Sequence, residues 1–199
     1  MTLLAGLQVV QIGGCPAAAV CGRLFADVGA SVTSIHPDNS TPLAEYLNHG
    51  KRIVSGDPTA ARAALTGADL IVCEGGPRDL RIRQHGAESL RRVNAKAALV
   101  FISPFGQSGP LADDPAADLT LFFASGIARL LSGQVDNLSE PPMRPVGEQS
   151  AFIGGIAAAC AGMHAALAGE LGAVIDVSIQ EALATMAAAE LARAGLGGR

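Results

Sequence analysis

"LQVVQIGGCPAAAVCGRLFADVGASVTSIHPD", residues 7–38, is the stretch that decides the fold. Its first apolar run, 7–13, stops at the pair Gly13-Gly14. A helical pattern then covers 16–30, with Val20, Leu24 and Phe25 at helical spacing and Gly29 placed to cap its end. The β-branched run 31–36 follows and stops at Pro37-Asp38. Strand, helix and strand in such close succession form the crossover unit that makes two strands parallel.

The alternation continues outward from this unit. Residues 57–65 read as a helix with Asp57 as its cap and Pro58 in its first turn. Runs 69–74, 97–103 and 173–178 read as strands, and 78–94 as a polar helical stretch broken at Gly86. Helices are expected at about 116–132, at 150–168 and from 179 onward, with loops at 36–52 and 104–115. The expected fold class is α/β: a Rossmann-like, mostly parallel sheet with helices on both faces, formed by residues 1–199 as one domain. In such a sheet, ligands bind outside the carboxyl ends of the strands, here loops 13–16, 36–52, 74–78 and 104–110.

Composition narrows the function classes. Fourteen basic residues against 18 acidic ones give a net charge of −4 with no basic run, so nucleic acid is not an expected partner. Residues 151–167 are uncharged but rich in Ala and Gly, and read as a buried helix with no role in a membrane. Cys15, Cys21, Cys73 and Cys160 show neither a C-x-x-C pair nor a metal-ligand spacing. They read as small core residues of a protein in a reducing compartment, the cytoplasm, and no metal is expected.

Five segments carry a resemblance when taken in order: "LAGLQVVQIGG…GRLFADVGASV" (4–14 and 22–32), "NHGKRIV" (48–54), "ADLIV" (68–72), "PFGQSGP…DPAADL" (104–110 and 114–119) and "IDVSIQEAL" (175–183). Together they resemble the N-terminal half of the class III CoA-transferase family, which includes formyl-CoA transferase, the carnitine-CoA transferases and α-methylacyl-CoA racemase. That resemblance implies coenzyme A or acyl-CoA as substrate or ligand, with no covalently held cofactor. It also implies a homo-oligomer, or a hetero-oligomer with a second CoA-transferase-like chain. CoA would lie across the strand-end loops, against Gly13, Gly14, Cys15, His36, His49, Phe105, Gly106 and Gln107. In "NHGKR" (48–52), Lys51 and Arg52 match the family's N-x-G-K-R and are the expected phosphate ligands, a charge-assisted role. Asp38 stands where the family often has a basic residue.

The resemblance also sets a puzzle. Its transferases use an aspartate as nucleophile, four residues before a glycine at the start of the long helix. In "RPVGEQSAFIGG" (144–155) that position is Ala151, with Ser150 before it, and the nearest acid is Glu148. Glu148 is the candidate catalytic residue by proximity alone. Racemases of the family place a histidine just before the aspartate that matches Asp118, and here that residue is Ala117. The reading is therefore an acyl-CoA-binding subunit of a CoA-transferase or racemase-type complex. The alternative is a catalytically silent acyl-CoA-binding or scaffold protein.

Overall fold

The computed structural model describes residues 3–37, 40–128, 137, 139, 145–169 and 171–197, with the side chains of 190 and 191 left aside. β1 (Gln8–Ile12), α1 (Pro16–Asp27) and β2 (Ser31–Ile35) form the expected opening unit, and β1 pairs with β2 in parallel, Val9 opposite Val32. Gly29 takes a left-handed φ of 97° and its N–H closes on the carbonyl of Ala26 at 3.0 Å, which ends the helix turn. α3 (Pro58–Thr66) starts where the sequence placed it: the Asp57 carboxylate accepts from the N–H groups of Thr59 and Ala60, both at 2.9 Å.

β4 (Leu70–Glu74), α4 (Pro77–Ile82), α5 (Ala87–Val93) and β5 (Ala98–Ser103) follow, then α6 (Asp118–Ala124) and α7 (Gln149–Ala168). β6 (Val174–Ser178), α8 (Ile179–Met186) and α9 (Ala188–Gly195) complete the described elements. Two short elements correct the sequence reading of 36–52 as a loop: α2 (Pro42–Asn48), capped by Thr41, and β3 (Arg52–Val54). A three-residue strand between polar neighbours has too few positions to show alternation.

All pairings are parallel, and the six-stranded sheet runs in the order β3-β2-β1-β4-β5-β6, that of a doubly wound sheet. One face, with Val9, Leu70, Val72 and Val100, packs under α1, α6, α7 and α8. The other, with Val10, Ile71, Leu99 and Phe101, packs under α3, α4 and α5. Every residue of β5 is buried, which explains why Ala98–Ile102 is an unbroken apolar run rather than an alternating one. Each such Leu, Ile, Val or Phe contributes about 1.5–3 kcal/mol of burial free energy.

α7 lies along α1, and small residues set their closeness. A Cβ at Gly155 would stand 2.6 Å from the Ala17 carbonyl oxygen, and one at Gly162 would stand 3.4 Å from Phe25. The other side of α7 corrects the expectation of a fully buried helix: Ile156, Cys160, His164 and Leu167 are exposed. α7 is also the one described helix long and apolar enough to cross a membrane, by length and composition alone. Here it forms part of the sheet's cover.

Cys15 and Cys160 likewise depart from the expected core role. Cys21 and Cys73 are buried, whereas Cys15 sits at the turn before α1 and Cys160 on the open side of α7.

Candidate functional site

The order of strands reverses between β1 and β4, so the chain leaves these neighbours in opposite directions and opens a crevice at their carboxyl ends. Two hollows meet there at Glu74. One, of about 440 Å³, lies between Cys15, Glu74–Gly76, Arg78, Pro104 and Asp113–Ala116. The other, of about 230 Å³, lies between Ile12–Gly14, His36, Arg83 and His85. A larger hollow of about 590 Å³ opens at the amino ends of the strands, around Leu3–Leu7 and Leu171. Two of its polar groups are already engaged: Asp69 accepts from the Gln8 N–H, and the Asn94 amide holds the carbonyls of Leu65 and Ala68.

Glu74 is the last residue of β4, and its carboxylate accepts from the N–H of Ala18 at 2.7 Å in the first turn of α1. Burial pushes its pKa up to about 7, against the opposing pull of the Ala18 and Ala17 N–H groups. The carboxylate thus occupies a helix-terminal amide that a ligand phosphate would otherwise take. Cations lie instead on the other wall. Arg78 and Arg83 are exposed, Arg83 bonding Asp79 at 2.9 Å, and half-buried His85 stands beside them. The His85 pKa is lowered, first by burial and then by the charges of Arg83 and His36.

His36 has a φ of 53°, an unusual left-handed conformation for a side-chain-bearing residue, and its N–H is held by the Val54 carbonyl. Such strain gathers where surrounding structure fixes a residue for a task. Gly13, at φ 96°, makes the turn from β1 into the crevice, its N–H on the Ile35 carbonyl at 3.0 Å.

Of the residues expected from sequence, Gly13, Gly14, Cys15 and His36 line this crevice. Phe105 packs against the main core. Gly106 and Gln107 form a strap across the strand ends: the Gln107 N–H donates to Asp176 at 2.8 Å and its side-chain amide donates to the Gly75 carbonyl at 2.9 Å. Four residues stand elsewhere. His49 is exposed at the end of α2.

Lys51 and Arg52 stand where the chain enters the sheet at the amino end of β3, outside the two crevice hollows. Lys51 is buried under α1, its ammonium donating to Gln11 Oε1 at 2.6 Å and to the Ala19 carbonyl at 2.8 Å. Arg52 donates to Thr33 Oγ1 in a hollow beside α3. Burial lowers the Lys51 pKa to about 7, and the group serves here as a donor to Gln11 and Ala19. Lys51→Met is expected to cost about 1–3 kcal/mol, measured by urea unfolding, because it leaves Gln11 and the Ala19 carbonyl unpaired.

Glu148 is the N-cap residue of α7, with no side-chain cap bond of its own. Its place is taken by Asp118, whose Oδ1 accepts from the Ser150 N–H at 2.8 Å and from the Ser150 hydroxyl at 2.6 Å. α1 and α7 both run from the carboxyl toward the amino ends of the strands. With Gly155 against Ala17, Ala151 one turn earlier is level with the start of α1 and the crevice mouth. Ala151 is 8% exposed. Asp38 and Arg144 lie outside the described residues.

Sequence reasoning did not single out Glu74, Arg78, Arg83 or His85, which line the crevice. Loop 74–78 was legible as ligand-facing, but His85 read as part of a polar helix. α4 in fact ends at Ile82, and Gln84 at φ 59° turns the chain back, with the His85 N–H on the Leu80 carbonyl at 2.8 Å. Among the described residues no cluster of His, Cys, Asp and Glu could hold a metal ion.

A crevice at the switch point of a doubly wound sheet is where ligands of such folds bind, and here Arg78 and Arg83 share it with Glu74, Asp79, Asp113 and Asp114. The sequence matches the model of CoA-transferase family III over residues 4–199, and the chain belongs to that family. It is 27% identical over 192 residues to a CaiB/BaiF CoA-transferase family protein of Caenorhabditis elegans, covering 91% of this chain and 55% of that one. It is 28% identical to mouse α-methylacyl-CoA racemase, covering 77% and 40%, and 28% identical to the BbsE subunit of succinyl-CoA:(R)-benzylsuccinate CoA-transferase from Thauera aromatica, covering 80% and 45%. The chain spans about half the length of these relatives. A CaiB/BaiF family protein from Brucella suis shares the fold with a TM-score of 0.82 at 20% identity, over 98% of this chain and 58% of that one.

Proposed function

We propose that this chain supplies the acyl-CoA-binding half of a class III CoA-transferase site, completed by a companion chain of the same family or a second copy. The observation that carries this reading is the convergence of Gly13–Cys15, His36, Arg78, Arg83 and His85 on the β1/β4 crevice. Glycines admit the ligand to the backbone, and Arg78 and Arg83 are the guanidinium groups at the crevice that a phosphate would meet. The companion is inferred from the exposed apolar side of α7, where Ile156 and Leu167 face outward. The acyl group is handled there as a thioester, the substrate form named by the relatives.

Calorimetric titration of CoA and acetyl-CoA into the full chain tests this. One saturable site is expected, with Arg83→Ala weakening it about tenfold, as loss of one charge-assisted phosphate contact does. Undiminished binding by the variant contradicts the assignment. Ala151 and Ala117 favour a second reading, a silent acyl-CoA-binding protein, in which CoA binds and no acyl group is ever transferred.

A further inference from the structure

We propose that Gln11 is a positioning residue of the crevice: anchored by the Lys51 ammonium, it holds the Gly13 carbonyl on the α1 side of the sheet and so turns the Gly14 N–H toward a phosphate oxygen of the ligand. The inference rests on the reading that the crevice takes CoA.

Packing alone does not account for Gln11. It is fully buried near the end of β1, in register with Val72 of β4 and, beyond it, Val100 of β5. A buried amide is costly unless both of its ends are bonded, and here both are. Oε1 accepts from Lys51 Nζ at 2.6 Å, and Nε2 donates to the Gly13 carbonyl at 3.4 Å. Chemistry fixes which end is which, because an ammonium has only donors and must face the oxygen. Lys51 is held in turn by the Ala19 carbonyl at 2.8 Å and Asn48 Oδ1 at 3.5 Å. Gly22 of α1 makes room for the pair: a Cβ there would stand 2.5 Å from Gln11 Oε1 and 3.1 Å from Lys51 Nζ.

The pair reaches the crevice through one peptide unit. The Gly13 N–H is held by the Ile35 carbonyl and the Gly13 carbonyl by Gln11. The peptide that follows is trans, so the Gly14 N–H points away from that carbonyl. Gln11 shares the sheet face of Val9, under α1, whereas the hollow that Gly14 lines lies with Leu80, Arg83 and His85 on the other face. The Gly14 N–H meets no acceptor among the described residues. Glu74, the acid of that hollow, is engaged by the Ala18 N–H. An open main-chain donor beside a guanidinium suits a phosphate oxygen.

Gln11→Glu separates positioning from packing. It keeps the shape and the acceptor for Lys51 but has no N–H for the Gly13 carbonyl. Gln11→Met, also close in size, removes both bonds. CoA and acetyl-CoA are titrated into the full chain by calorimetry, with urea unfolding of each variant and ¹H–¹⁵N spectra that follow the Gly14 amide. Both variants are expected to fold and to bind both ligands about tenfold more weakly than the parent, as loss of one charge-assisted contact does. The Gly14 amide signal should move on CoA addition in the parent and stay still in the variants. Undiminished affinity in Gln11→Glu, a loss confined to acetyl-CoA, or a Gly14 signal that ignores bound CoA overturns the inference and leaves the binding reading intact. No CoA binding by the parent overturns both.

Discussion

Gly155→Ala is expected to destabilise the fold by about 1–3 kcal/mol, although alanine is the better helix former by about 1 kcal/mol. The added methyl would stand 2.6 Å from the Ala17 carbonyl oxygen and 2.7 Å from Val20 Cβ. Neither is the tip of a flexible side chain: the first is backbone of α1, and the second is fixed to it. The two helices would have to separate, and the apolar contacts beneath α7 would loosen with them. Gly195→Ala is the control, a helical position where an added Cβ meets nothing within 4 Å. There the substitution should be neutral or stabilising. Urea midpoints of the two variants decide the matter, and equal midpoints would refute the packing account.

Glu74→Gln is expected to change how stability depends on pH. The folded-state pKa of Glu74 is raised from 4.5 to about 7 by burial. A carboxyl raised in this way favours folding fully below pH 4.5, where both states are protonated. That contribution is lost as pH rises through 7, where the folded state must ionise a buried group. The difference amounts to about 3 kcal/mol between the two limits. Glutamine still offers an oxygen to the Ala18 N–H but never ionises. The variant should therefore be as stable at pH 8 as at pH 4.5 with respect to this group, and more stable than the parent at pH 8. A parent and variant with parallel stability profiles from pH 4.5 to 8 would show that Glu74 titrates normally.

Much of the fold was legible because parallel strands buried on both faces leave long apolar runs, such as 98–102, between turn signals. Asp57 and Gly29 declared the ends of helices through chemistry local to them. α2 and β3 were not legible, being short and shaped by what they pack against. The same division holds at the site. Gly13, Gly14, Cys15 and His36 follow from the strand-end rule alone. Lys51 matched a motif, but a motif does not say that the chain re-enters the sheet behind it, with Gln11 waiting under α1. Arg83 and His85 depend on the left-handed turn at Gln84, and the Asp118–Ser150 pair joins positions that nothing in the sequence marks as neighbours.

The central claim is the place of the CoA crevice, and hydrogen exchange with mass spectrometry, with and without CoA, tests it most directly. Protection is predicted in peptides covering Ile12–Ala18 and Glu74–His85, with none in peptides covering His49–Val54. Protection centred on Lys51 and Arg52, with the Glu74–His85 segment unchanged, would contradict the account.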